Sequence, residues 1–252
     1  MYKSFLIILL IILFLILINN IRQNFISIEN KIIQSIPLSK STLEPFVKEV
    51  LPYSDFREEV LSENPKIVYL HNFLSTKEAE HFIELGKKLK QPSTIETNDS
   101  PVSLVQNVRS SQSAHIGKRR DDIVSYVEDK AVSYMNIDIN KLEPLQVVVY
   151  EKGQKYNPHY DFFTPNTPDV IQKGNRTKTI LVYLNDLPKE AGGSTFFPKL
   201  NLRIQPKSLD AIYFENMNDK NELDYNTLHA GEPLLTDVTK YAINIWAREK
   251  DF

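Results

Sequence analysis

"YNPHYDFF", residues 156–163, places a histidine and an aspartate two positions apart among aromatic side chains. In an extended strand, residues i and i+2 project from the same face. His159 and Asp161 therefore aim an imidazole and a carboxylate at one point. Those are two of the three protein groups of a facial metal site, and a third must come from elsewhere in the chain. Of the five histidines, His71, His81 and His115 fall in the helical N-terminal half and read as structural or surface residues. His229, in "NTLHAGEPLL", falls in the β-rich C-terminal half, where a sandwich brings distant strands together. Two His and one carboxylate on one face of a metal leave the opposite positions open, the arrangement of non-haem Fe(II) oxygenases. Taken alone, the pattern is also met by two surface histidines and a chance aspartate.

Composition narrows the chemistry. The chain of 252 residues is long enough for one sizeable domain or two small ones. It contains no cysteine, which excludes disulfides, thiolate metal sites, Fe–S clusters and cysteine nucleophiles together. Any metal must be held by His, Asp or Glu, which suits zinc, copper or non-haem iron. A net charge of -2 gives no overall attraction to nucleic acid or to an anionic membrane.

The N-terminus reads as a separate object. Phe5 to Ile18 is an unbroken run of Phe, Leu and Ile. At about 14 residues it is in the range of a signal-peptide core, and Tyr2, Ser4, Asn19, Asn20 and Ile21 extend it toward the roughly 17 of a span. No small-residue cleavage site follows in "NNIRQNFISIEN". The expectation is an uncleaved membrane anchor over 1–21. Lys3 before the run and Arg22 and Lys31 after it nearly balance. The short leading tail favours a single-pass type II protein with its C-terminal part in the ER lumen. Residues 22–60 lack a period, contain Pro37, Pro45 and Pro52, and read as a stem before a folded domain over 61–252.

That domain is expected to open with a β-rich run, "KIVYLHNFLS" (66–75). In "STKE", Ser75 is an N-cap and Glu78 its capping-box partner. Phe82, Ile83, Leu85 and Leu89 give an amphipathic helix to about Lys90. Residues 91–115, polar and holding Pro92 and Pro101, read as a long loop. A second helix covers about 121–135, with Ile123, Val124, Val127, Ala131 and Tyr134 on one side. Short β-rich runs follow at 145–151, 178–184, 194–197, 210–214 and 241–247, separated by turn-rich segments. Two helices followed by many short strands fit an α+β chain whose β part is a sandwich or jelly roll.

Lys240 sharpens the chemistry. It begins "KYAINIWA", whose other residues suit a buried strand, and a lone buried Lys is expensive unless paired. A deep cation facing an open metal suggests an anionic co-substrate. 2-Oxoglutarate fits, because its keto-acid end chelates iron and its distal carboxylate needs a cation.

"VVYEKGQKYNPHYDFF", "RTKTILVYLNDLPKEAGGSTFFP" and "LHAGEPLL…KYAINIWARE" resemble the catalytic domain of prolyl 4-hydroxylases, Fe(II)- and 2-oxoglutarate-dependent dioxygenases. The likeness extends to "YLHNFLSTKEAEHFIELGKK" and "NVRSSQSAHI", covering about residues 66–250 in order. It implies a double-stranded β-helix (jelly roll) core flanked by N-terminal helices. It implies that His159, Asp161 and His229 bind Fe(II), and that Lys240, Tyr150 and Thr195 hold the distal carboxylate of 2-oxoglutarate. Tyr156, Arg176 and Trp246 match residues around a substrate proline, and Arg109 a mobile substrate loop. O2 is then a co-substrate, ascorbate a reductant, and the partner a proline-rich or collagen-like peptide.

Departures from the family pattern are few. One extra residue lies between His229 and Lys240, in the "LLTDVT" turn, and Tyr241 stands where Trp is common. The likeness is to the compact form of plants, algae and some large viruses rather than to the animal collagen enzymes. Two other functions stay open on the residues: the same oxygenase chemistry on lysine or a small molecule, and a non-catalytic membrane-tethered jelly-roll binding protein. The complete ligand set argues against the second, and Lys240, where related hydroxylases often carry Arg, favours the prolyl substrate. Asn98 and Asn175 sit in glycosylation sequons, which matter if the domain is lumenal.

Overall fold

The computed structural model describes residues 56–93, 95–97, 100–103, 108–218 and 220–252, within a folded unit of Asp55–Phe252. The expected anchor over 1–21, and the stem up to residue 55, lie outside the described residues. Among the described residues no helix is long and apolar enough to cross a membrane. Strand β1 (Arg57–Glu63) pairs antiparallel with β2 (Lys66–His71). The fold thus begins upstream of the expected boundary at 61. The run Arg57–Glu63 carries mostly exposed polar residues, so it gives no apolar signal.

The two helices form where the caps and the period place them. Helix α1 spans Thr76–Leu89. The Glu78 amide donates to Ser75 Oγ, and the Ser75 amide donates to the Glu78 carboxylate at 2.9 Å. Two orphan amides of the first turn are thereby satisfied reciprocally. Helix α2 spans Asp122–Met135. Asp121 Oδ1 accepts from the Val124 amide at 2.9 Å, and Asn136, in the left-handed region at φ 51°, ends the helix.

The stretch expected as a long loop contains short strands instead: β3 (Gln91–Pro92), β4 (Ile95–Thr97), β5 (Ser100–Ser103) and β6 (Gln112–His115). Backbone pairing and hydroxyls hold β3 and β6 together. Ser93 Oγ lies 2.9 Å from Ser111 Oγ and 2.8 Å from Ser113 Oγ, all three buried. A serine seam has no apolar alternation to betray it.

The remaining strands are β7 (Gln146–Tyr150), β8 (Tyr156–His159), β9 (Arg176–Tyr183), β10 (Thr195–Phe197), β11 (Leu202–Ile204), β12 (Ala211–Glu215), β13 (His229–Gly231) and β14 (Lys240–Arg248), with a short helix α3 (Pro168–Lys173) after β8. The larger sheet runs β1-β2-β12-β9-β14-β7-β6-β3 and the smaller β11-β10-β13-β8. Their pairings are antiparallel, and β4 and β5 form a separate hairpin.

Alternation along the central strands separates two cores. Val147 and Val149, Ile180 and Val182, and Ile243 and Ile245 pack with Phe82, Leu85, Val124, Val127 and Met135 of the helices. At roughly 1.5–3 kcal/mol for each fully buried large aliphatic side chain, this layer is the main support of the fold. Helix α1 comes so close that a Cβ on Gly86 would lie 2.8 Å from Val147 Cγ1. On the opposite face, Ile67, Tyr183, Ile212 and Phe214 of the large sheet meet Phe197 and Ile204 of the small one. This is the double-layered β architecture of a jelly roll, with the helices on the outside of one layer.

Candidate active site

The pairing of β8 with β13 sets His159 directly opposite His229. Asp161 follows β8 and is buried, as is His229. His159 Nδ1 lies 2.8 Å from the Asn157 carbonyl, and His229 Nδ1 lies 2.9 Å from the Thr227 carbonyl. A carbonyl only accepts, so in each neutral ring Nδ1 carries the proton and Nε2 a lone pair. Both Nε2 atoms lie 3.8 Å from Asp161 Oδ1. The three ligand atoms are all within 4.8 Å of one another. Three acceptors thus converge with no proton between them, which is costly in a buried site unless a cation joins them. Burial and the neighbouring His229 hold the His159 imidazole well below its ordinary pKa, keeping it neutral as a metal ligand must be. Burial opposes ionisation of Asp161. The two histidines, Arg176 and the Thr179 hydroxyl outweigh it and hold the carboxyl below its usual range. The donor set fits a divalent metal such as Fe(II), held by His159, Asp161 and His229.

These ligands line a cavity of about 750 Å³. Lys240, only 4 % exposed, reaches into it from the start of β14, opposite Tyr150 of β7. Its Nζ donates to the Gly193 carbonyl at 2.7 Å and lies 5.3 Å from the centre of the Tyr150 ring. Among the described residues no carboxylate is within ion-pair distance of it. Burial pushes its pKa down to about 8, against the weaker pull of Glu232. Thr195 lines the same end, and its Oγ1 accepts from the buried Tyr183 hydroxyl at 2.8 Å, leaving its own proton free to donate.

The other end is aromatic and cationic. Tyr156 stacks on His159, with ring centroids 3.5 Å apart, and Arg109 lies over the Tyr156 ring. Arg176 lies over the Trp246 ring at 3.6 Å and makes a two-point ion pair with Glu143, at 2.7 and 2.8 Å. Trp246 Nε1 is buried with no hydrogen-bond partner among the described residues. All ten residues singled out in the sequence line this one cavity. Arg109, expected on a substrate loop, is buried and donates to Ser111 Oγ and Gln146 Oε1.

Several lining residues escaped the sequence reading. His115, expected to be structural or on the surface, lines the cavity and sits 3.3 Å from Gln146 Nε2. Gln146 Oε1 also accepts from Asn244 Nδ2 at 3.1 Å. A polar residue inside an apolar strand marks Lys240, and the same cue marks Gln146 in "LQVVVYE" and Asn244 in "KYAINIWA". Glu143 binds both Arg176 and Arg248, but it sits in a loop that carries no periodic cue. The remaining histidines are elsewhere: His71 lies by Glu59 and Asp210, His81 by Asp121.

Known proteins resemble this chain. Residues 145–248 match the model of the 2OG-Fe(II) oxygenase superfamily. Prolyl 4-hydroxylase 5 of Arabidopsis thaliana is 33% identical over 213 residues, covering 77% of this chain and 72% of that protein. The chain belongs to the prolyl 4-hydroxylase family. Probable prolyl 4-hydroxylase 7 of the same plant is also 33% identical, over 76% of this chain and 65% of its own length. Among solved structures, the viral collagen prolyl hydroxylase of Paramecium Bursaria Chlorella virus-1, in a 2OG complex, superimposes with a TM-score of 0.56. It is 27% identical and covers 71% of this chain and 94% of its own. A Trichoplax adhaerens prolyl hydroxylase shares the fold at 18% identity and a TM-score of 0.53. This family member is accordingly a 2-oxoglutarate-dependent dioxygenase with a jelly-roll core, using Fe(II) and O2.

Proposed function

We propose that the enzyme hydroxylates C4 of a proline within a proline-rich or collagen-like peptide and releases succinate and CO2. The observation that carries this reading is Lys240: a buried ammonium with no carboxylate partner among the described residues, in the same cavity as three converging metal ligands. The prolyl 4-hydroxylase relatives and the viral collagen prolyl hydroxylase support the substrate class.

Bound iron supplies the redox chemistry, with one oxygen atom of O2 entering succinate and the other the product. The side chains supply everything else. His159, Asp161 and His229 would hold the metal. Lys240, with the hydroxyls of Tyr150 and Thr195, receives the distal carboxylate of 2-oxoglutarate and so fixes the depth at which its keto acid sits. Tyr156, Trp246, Arg176 and Arg109 line the end of the cavity that receives the substrate proline. The aromatic walls exclude water, which confines oxidation to the bound proline. Ascorbate serves as the external reductant.

We also propose that residues 1–21 anchor the enzyme as a type II protein with the catalytic domain in the ER lumen. The uninterrupted Phe5–Ile18 run supports this, and protease protection of the domain in sealed microsomes tests it. The substrate test is a peptide panel with Fe(II) and 2-oxoglutarate, read by mass. Gain of one oxygen on proline is expected. Gain on lysine, or succinate release with free small molecules only, overturns the prolyl assignment.

A further inference from the structure

The two carboxylate oxygens of Asp161 have different neighbours. Oδ1 faces both histidine Nε2 atoms, 3.8 Å from each. Oδ2 accepts a hydrogen bond from Thr179 Oγ1 at 2.8 Å. A hydroxyl has a single proton, so Thr179 can only accept from its other neighbour, and it does: Asn216 Nδ2 donates to Oγ1 at 3.0 Å. Thr179 is 1% exposed and Asn216 0%. Asn216 is pinned at its backbone, donating to the Thr177 carbonyl at 2.8 Å and accepting from the Asp224 amide at 2.9 Å.

The direction of this relay is set by its end. An ionised carboxylate only accepts, so Thr179 must donate to it, and Asn216 must then present its NH2 rather than its carbonyl oxygen. The consequence is visible: Asn216 Oδ1 is buried with no partner among the described residues. An unmet buried acceptor is costly.

We infer that Thr179, oriented by Asn216, is a positioning residue that reserves Oδ2 of Asp161 and leaves Oδ1 as the single oxygen directed at the metal. The inference rests on the metal assignment above. Without the hydroxyl, Oδ2 is an unpaired buried acceptor and the carboxylate is free to turn both oxygens to the ion. A second oxygen in the coordination sphere would take a position that the co-substrate needs.

The test uses Co(II) in place of iron, titrated into the intact enzyme and followed by its visible d–d absorption. Thr179→Val keeps the shape and removes the hydroxyl. It should weaken Co(II) binding by about 10- to 100-fold and alter the d–d spectrum, the usual scale for losing an outer-shell partner. Thr179→Ser restores the hydroxyl and should restore both. Asn216→Ala leaves Thr179 in place but unoriented and should give a smaller loss in the same direction. If Thr179→Val is folded by circular dichroism and binds Co(II) with parental affinity and spectrum, the positioning role is overturned. If Thr179→Val fails to fold, parental affinity and spectrum in folded Asn216→Ala overturn it. A parent enzyme that binds no Co(II) overturns the metal assignment itself, an outcome distinct from either.

Discussion

The substitution Lys240→Met removes the charge at nearly constant length. In the free enzyme the ammonium has one hydrogen bond, to Gly193, and no carboxylate partner among the described residues. Its pKa of about 8, lowered from 10.5 by burial, records how unwelcome the charge is. The variant loses that burden, so it should unfold at or above the parental temperature. Binding is the reverse. Breaking a buried ion pair costs about 3–5 kcal/mol, which is on the order of a hundredfold or more in 2-oxoglutarate affinity. The assay is the metal-to-ligand charge-transfer band of anaerobic Fe(II) enzyme, titrated with 2-oxoglutarate. The parent adds a pH signature. Only the protonated amine pairs with the carboxylate, and the charged fraction falls from about nine-tenths at pH 7 to about one-tenth at pH 9. Apparent affinity should fall about tenfold across that interval. Stability should rise over the same range and up to 10.5, because the unfolded chain binds the proton that the fold gives up. The substituted enzyme, with no amine at this position, should show neither slope. Parental 2-oxoglutarate affinity in Lys240→Met, or a pH-independent affinity in the parent, would refute the argument.

The remaining predictions concern the metal, an ion network and the helix contact. His229→Ala, Asp161→Ala or His159→Ala each removes one of three ligands and should abolish turnover and the charge-transfer band; retention of near-normal 2-oxoglutarate decarboxylation by all three refutes the triad. Glu143→Gln leaves Arg176 and Arg248 without their shared carboxylate and should cost about 3–5 kcal/mol by urea denaturation. Burial opposes the charge on Glu143, yet the two arginines hold its pKa below the ordinary 4.5. Its stabilisation is therefore complete above that value and lost as pH falls through the lower folded pKa, a loss the Glu143→Gln enzyme should lack. Gly86→Val crowds Val147 and should lower stability by about 1–3 kcal/mol while leaving Co(II) affinity unchanged.

How much of this was legible from the sequence depended on whether a residue broke a pattern. Ser75 and Glu78 announced helix α1 because the capping box is a local code. Strands β7, β9 and β14 announced themselves by dense β-branched runs. Lys240 was legible because it opens one of those runs with a charge, and His159 and Asp161 because their spacing fits a strand. Strand β6 was not, since its order comes from backbone pairing with β7 and from the Ser113 hydroxyl bonded to Ser93. His115 sits at the end of that strand and was missed with it. Thr179 and Asn216 could not be found either: each is ordinary for its setting, and only the fold brings Thr179 to Asp161 and Asn216 to Thr179.

The inward face of β14 explains why co-substrate and substrate ends share one cavity. Lys240, Ala242, Asn244 and Trp246 lie at every second position and all line it. At about 3.3 Å per residue, that face runs roughly 20 Å, from the carboxylate anchor to the ring beside Arg176. The intervening residues Ile243 and Ile245 lie in the core beneath the helices. The same packing that holds α1 and α2 on the sheet therefore fixes which four side chains face the cavity. A register slip of one residue would exchange the two sets, burying an ammonium and an amide under the helices and turning isoleucines toward the metal. The helix layer, remote from every reacting atom, is thus a condition of the chemistry. Its apolar contacts make the slipped register too costly to populate, and so hold Lys240 and Trp246 at opposite ends of the same strand.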